Sequence, residues 1–149
     1  MFRLQWVGDP ALAKSQSYMF TASQVPVKFP KGTSKVQVVM SFGVVIDVAA
    51  AGVTPSLTVV SSKLAKDMKG NQRAIVTVEN PTTTHALLPD GSISLSGEGW
   101  SKTIDSTTLR DTIGIGLVQP GMRRRFVLPG AVPASVTNLQ VSLNYHPKH

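Results

Sequence analysis

The chain has 149 residues, of which 42% are hydrophobic and 15% charged, with no cysteine. That length admits one large or two small domains with a packed core, and the lack of cysteine excludes disulfides, thiolate metal sites and cysteine nucleophiles. A net charge of +7 suits an acidic partner or nucleic acid, but the cations are scattered apart from Arg123–Arg125 and Lys63, Lys66 and Lys69, and no aromatic residue interleaves with them as a stacking platform.

Ten prolines, twelve glycines and abundant Ser, Thr and Val predict an all-β protein, with helical turns expected only near Ala11–Lys14 and Lys63–Lys69. Phe2–Val7 alternates like a strand already in progress, so no secretory signal is expected there, and the expectation is either a cytoplasmic protein or a chain without the segment that precedes Met1. Gly8-Asp9-Pro10 is a turn, Ser17–Ala22 a strand, Val25-Pro26-Val27 a loop and Pro30-Lys31-Gly32 a turn. The run Ser34–Val48 then reads as one long strand. Val36, Val38, Met40, Phe42, Val44 and Ile46 recur at period two and share one face. The other face is mixed, and Asp47 is expected to face solvent where the strand ends. The small residues from Ala49 to Pro55 form the most plausible linker.

Beyond the linker, turn signals recur every eight to twelve residues, as in a sandwich. Strands are expected at Leu57–Ser61, Arg73–Glu79, Thr84–Leu88, Ser92–Ser96, Ile113–Val118, Arg123–Leu128 and Thr137–Asn144. In the Pro89-Asp90-Gly91 turn, glycine is expected to take a positive φ. Residues 51–149 can therefore form a complete immunoglobulin-like β-sandwich. Residues 1–50 offer three strands, too few for two packed sheets.

Catalytic signals are weak. No HExxH, CxxC, Walker loop or G-x-S-x-G occurs. His85 reads as structural, Gly114-Ile115-Gly116 as a bulge or a thin strand, and Asp105 and Asp111 as members of a polar loop. No apolar run approaches the ~20 residues that span a bilayer. The expectation is a protein without enzymatic activity, metal, cofactor, membrane insertion or nucleic-acid partner. Arg123 and Arg125 share a strand face and are a candidate surface for an acidic partner.

Several segments, in order, resemble the PapD-like periplasmic chaperones of the chaperone–usher pilus pathway. Phe2-Arg3-Leu4 resembles a "YRI" strand. Ser15–Phe20 followed by Val25-Pro26-Val27 is similar to "D-R-E-S-x-F…I-P-P", although Lys14-Ser15-Gln16-Ser17 lacks its Arg and Glu. Val78–Ala86 resembles "V-x-N-P-T-P-Y-x-V", and Val118–Pro129 resembles "V-x-P-G-S-x-x-x-F-x-L-P". The resemblance implies periplasmic donor-strand complementation, in which a chaperone strand fills the groove of a pilin subunit that lacks its own final strand. It implies pilins and an outer-membrane usher as partners, with Val36, Val38, Met40 and Phe42 as the lending residues. It also implies that residues 1–50 are the C-terminal part of an immunoglobulin-like first domain. The family's carboxylate-anchoring lysine has no counterpart among Val44–Ile46. The alternative is a β-sandwich adhesin or carbohydrate- or protein-binding module, for which Trp6 and Trp100 are the only indoles. An uncovered strand edge would also offer a route to self-association.

Overall fold

The computed structural model describes residues 3–26, 28 and 36–147. Phe2, Val27, the Pro30-Lys31-Gly32 turn and the first two residues of the expected long strand, Ser34 and Lys35, lie outside the described residues. The chain is mostly β-strand with one α-helix. It divides into two compact units: Gln16–Val48, and the segment up to Ser15 together with the chain from Ala49 onward.

The larger unit is built on two three-stranded antiparallel sheets. In one, β3 (Thr58–Lys66), β4 (Gln72–Glu79) and β9 (Arg123–Val127) lie in that order; in the other, β10 (Gln140–Tyr145), β6 (Gly91–Gly97) and β7 (Trp100–Ile104). A short pair joins β5 (Ala86–Leu87) to β8 (Leu117–Val118). Alternation decides which residues go inside. Ala74, Val76 and Val78 of β4 and Ile93 and Leu95 of β6 are buried in a single hydrophobic cluster with Leu57, Leu88, Ile104, Leu109, Phe126 and Val136. The residues between them point outward.

Residues 3–7 form no strand, of the strand expected at Ile113–Val118 only Leu117–Val118 is one, and four further expectations change. The Lys63–Lys69 window forms no helix; its first part is the end of β3, which hairpins onto β4. The turn is organised by Asp67, whose carboxylate accepts from Lys69 N, Asn71 N and Arg73 Nε at 2.9, 3.0 and 3.0 Å. Nor do Ala11–Lys14 form a helix; the Asp9 carboxylate instead accepts from Ala11 N at 2.8 Å, a local Asx-type bond. The expected loop around Asp105 and Asp111 contains α1 (Ser106–Ile113). Asp105 is its N-cap, accepting from Thr108 N at 2.7 Å, and Gly114 ends it with φ 69°. Finally, Gly91 is needed for space, not for positive φ. Its φ is −130°, and a Cβ there would meet the Asn144 carbonyl oxygen at 2.7 Å. The preceding Leu88-Pro89-Asp90 is a 3₁₀ turn.

Among its described residues the smaller unit contains β1 (Gln16–Ser23) and β2 (Ser41–Val48), an antiparallel pair. The expected strand from residue 34 onward therefore starts at Ser41. The physical reason is the partner's length. β1 ends at Ser23, opposite Ser41, and one further bond, Gln24 N to Met40 O at 2.9 Å, closes the ladder. Strand backbone groups need a neighbour, and among the described residues no strand pairs with 36–40.

Candidate functional site

The β1–β2 pair is amphipathic. Directly opposed residues share a face, so Gln16, Tyr18, Phe20 and Ala22 stand with Val48, Ile46, Val44 and Phe42. The reverse face carries Ser17, Met19, Thr21 and Ser23 opposite Asp47, Val45, Gly43 and Ser41. On that side the Ser17 hydroxyl donates to the Asp47 carboxylate, and the Ser23 and Ser41 hydroxyls are hydrogen-bonded at 2.8 Å. Asp47 is exposed, as expected, and its carboxylate helps hold the two strands in register.

The apolar face is largely bare. Phe42 is 60% exposed, Val44 46% and Phe20 40%, while Ile46, Val48 and Ala22 are half-buried. Continuing the register from the Gln24–Met40 bond makes Ala22–Phe42, Phe20–Val44 and Tyr18–Ile46 the hydrogen-bonded pairs. The backbone groups of Ser41, Gly43 and Val45 therefore point away from β1, along the outer edge of β2. That edge is a template for another strand.

Of the four expected lending residues, only Phe42 is in a strand. Val36, Val38 and Met40 precede β2 and are 94%, 74% and 55% exposed. Phe42 continues their parity into the apolar face of β2. Arg123 and Arg125 lie on β9 with both side chains exposed. The structure separates their roles: Arg123 Nη2 is 3.1 Å from Glu79 Oε2, whereas Arg125 stands opposite Thr77. Arg124, between them, donates to the Leu117 carbonyl at 2.6 Å, its guanidinium carbon 5.0 Å from the centre of the Phe126 ring.

Two structural residues carry more weight than sequence reasoning assigned them. Ser15, only 4% exposed, immediately precedes β1. Its hydroxyl accepts from Ala50 N at 2.8 Å and donates to Thr84 Oγ1 at 3.1 Å, and its own N–H donates to the Thr83 carbonyl at 2.8 Å. One side chain thus ties together the chain entering the hairpin and the chain leaving it. Asn80, fully buried, donates to the Thr84 and Val118 carbonyls at 2.8 and 3.0 Å and accepts from Thr82 N and Oγ1 at 3.0 and 2.7 Å. The Asn80-Pro81-Thr82 sequence was the available signal, since an Asx turn ahead of proline and threonine is a recurrent loop device. Ser15 gave no such signal, because its partners are 35 and 69 residues away.

Among the described residues, no group of three His, Cys, Asp or Glu is placed to hold a metal ion. An open depression of about 290 Å³ is lined by residues that include Lys66, Asn71, Gln72 and Val132, and it contains no cluster of acid, base and nucleophile. Compared with known proteins, the chain matches no family model, no curated protein and no solved structure.

Proposed function

We propose that the chain is a strand-lending chaperone of the fimbrial-assembly type, binding pilin subunits by donor-strand complementation in the periplasm rather than catalysing a reaction. In this reading the larger unit is an immunoglobulin-like sandwich and the β1–β2 hairpin is the lending element. The observation that carries the proposal is the apolar face of β2, with Phe42 and Val44 exposed beside an outer edge that pairs with no strand among the described residues. The residues just before β2 extend the pattern: Val36, Val38 and Met40 alternate at the same parity and are exposed. An incoming subunit that orders them as strand would bury them in turn. Each side chain fully buried contributes about 1.5–3 kcal/mol before ordering costs. The backbone edge supplies affinity, and the alternate side chains supply selectivity. The order of segments resembling the chaperone family supports the same reading.

The amphipathic hairpin allows a face-specific test. Phe42→Arg strikes the apolar face, while Met19→Arg adds the same charge to the opposite face, where Met19 is 75% exposed. The chain would be co-expressed with a fimbrial subunit lacking its final strand, and the subunit recovered with it measured. Phe42→Arg is expected to abolish recovery and Met19→Arg to leave it near wild type. Equal recovery with both variants and the wild type would sink the proposal.

A further inference from the structure

The outward faces of the two large sheets are built from different chemistry. On the β10–β6–β7 sheet the outward positions are Ser92, Ser94 and Ser96 on β6, Ser101 and Thr103 on β7, and Gln140, Ser142 and Asn144 on β10. Not one is charged. On the β3–β4–β9 sheet, alternation puts Arg73, Ile75, Thr77 and Glu79 of β4 outward, opposite the buried Ala74, Val76 and Val78. Their neighbours are Lys63 beside Ile75, Arg125 beside Thr77, Arg123 beside Glu79, and Val127 on the far side of Ile75.

Four cations thus share one face with a single strand carboxylate. Glu79 pairs with Arg123, and Asp67 from the β3–β4 turn pairs with Arg73 at 3.0 Å. Among the described residues, Lys63 and Arg125 have no carboxylate within salt-bridge distance, and both are exposed. Cations that served only solubility would have no reason to gather on one sheet and leave the other neutral. Like charges collected on one side raise the local potential and steer an oppositely charged partner.

We infer that the outer face of the β3–β4–β9 sheet is a docking surface for an extended acidic segment of another protein, with Lys63 and Arg125 receiving its carboxylates. The two lie on opposite flanks of β4 and one pleat apart. Strand spacing and rise put them about 12 Å from one another, the reach of roughly four residues of extended chain. Ile75, Thr77 and Val127 between them offer a flat, part-apolar floor. An aliphatic or β-branched side chain can lie there, but no aromatic ring is available to stack on a base. That selects a peptide over a nucleic acid. This surface is independent of the hairpin's strand-lending face.

The probe is a fluorescein-labelled octapeptide of alternating Asp and Thr, with its Asn/Thr counterpart and an oligothymidylate of equal charge as comparisons. Binding is read by fluorescence anisotropy at low salt. Lys63→Ala/Arg125→Ala and Ser94→Glu/Ser142→Glu both lower the net charge by two, but on opposite sheets. The acidic peptide is expected to bind the wild type in preference to both comparison ligands, with amide shifts at Thr77 and Val127. The first double variant should weaken it about fivefold to tenfold, the second less than twofold. The inference is overturned if the acidic peptide does not bind, if both variants weaken it equally, if oligothymidylate binds as tightly, or if Thr77 and Val127 do not respond.

Discussion

Strand β6 presents Ile93 and Leu95 on one side and Ser94 and Ser96 on the other. Strand β2 presents Phe42, Val44 and Ile46 on one side and Ser41, Gly43, Val45 and Asp47 on the other. As patterns of alternation the two are nearly interchangeable, yet Ile93 and Leu95 are buried while Phe42 and Val44 are exposed. The difference lies in what faces them. β6 belongs to a three-stranded sheet that shares one core with a second sheet. Among the described residues β2 has a single neighbour, and a two-stranded hairpin is marginal in water without something packed on it. Alternation specifies that a face is apolar; it does not specify whether the cover comes from the same chain.

The largest expected effect tests that contrast directly. Ile93→Ala removes a fully buried side chain and should cost about 2–5 kcal/mol of stability in urea denaturation. Phe42→Ala should cost no more than about 0.5 kcal/mol, as an exposed substitution does. Comparable losses from the two would mean that the hairpin's apolar face is covered in solution, and the distinction between lending face and core would fail.

Next in size is Asn80→Ala. It strips the Thr84 and Val118 carbonyls of a donor in a buried setting, and buried polar groups left without partners are expensive. A loss of about 2–3 kcal/mol is expected, read as a lower urea midpoint at unchanged slope. Asn80→Asp should do little better, because a carboxylate cannot donate to either carbonyl.

Ser15→Ala follows, at about 1–2 kcal/mol, since it leaves Ala50 N and Thr84 Oγ1 short of a partner. Its signature should be local. Amide exchange should quicken at Ala50 and along β1 and β2, while the β4 amides that bond to β3 and β9 stay protected. Uniform acceleration throughout the larger unit would show that Ser15 supports the core as a whole rather than the root of the hairpin.

These cases also show what the sequence could reveal. β1, β4, β6, β9 and β10 were legible because period-two alternation bounded by turns is a local signal, and the larger unit's all-β character followed from it. The helix α1 was concealed by composition: Ser106-Thr107-Thr108 are poor helix formers, and only the Asp105 cap and the Gly114 stop marked its ends. β7 was missed because Glu98 takes a positive φ of 42° in a tight Gly97-Glu98-Gly99 turn that the glycines alone were left to signal. The length of β2 was overestimated because extent depends on the partner strand, which alternation within one segment does not encode. In the candidate site, the parity of Phe42 with Val36, Val38 and Met40 was readable, but the Ser15 tie is long-range and was not. The contrast between the two outward sheet faces emerged only once register had placed Lys63, Ile75 and Val127 in one row.

The smallest expected effect concerns the same turn and is set by pH. The Glu98 carboxylate accepts from the Thr137 hydroxyl at 2.8 Å, from Asn138 Nδ2 at 2.9 Å, and from the backbone N–H groups of Thr137 and Asn138 at 3.1 and 3.0 Å. These bonds, led by those from the Thr137 and Asn138 side chains, hold its pKa below the ordinary 4.5. The folded state therefore binds its proton less readily than the unfolded chain does. The stabilisation is fully present above about pH 4.5 and is lost as pH falls through the depressed folded value. Glu98 is solvent-facing, so the effect should be modest. Glu98→Gln should lower the thermal midpoint at pH 6 and flatten its decline between pH 5 and 3. A decline that Glu98→Gln leaves intact would show that the acid-sensitive link does not lie at the β6–β7 turn.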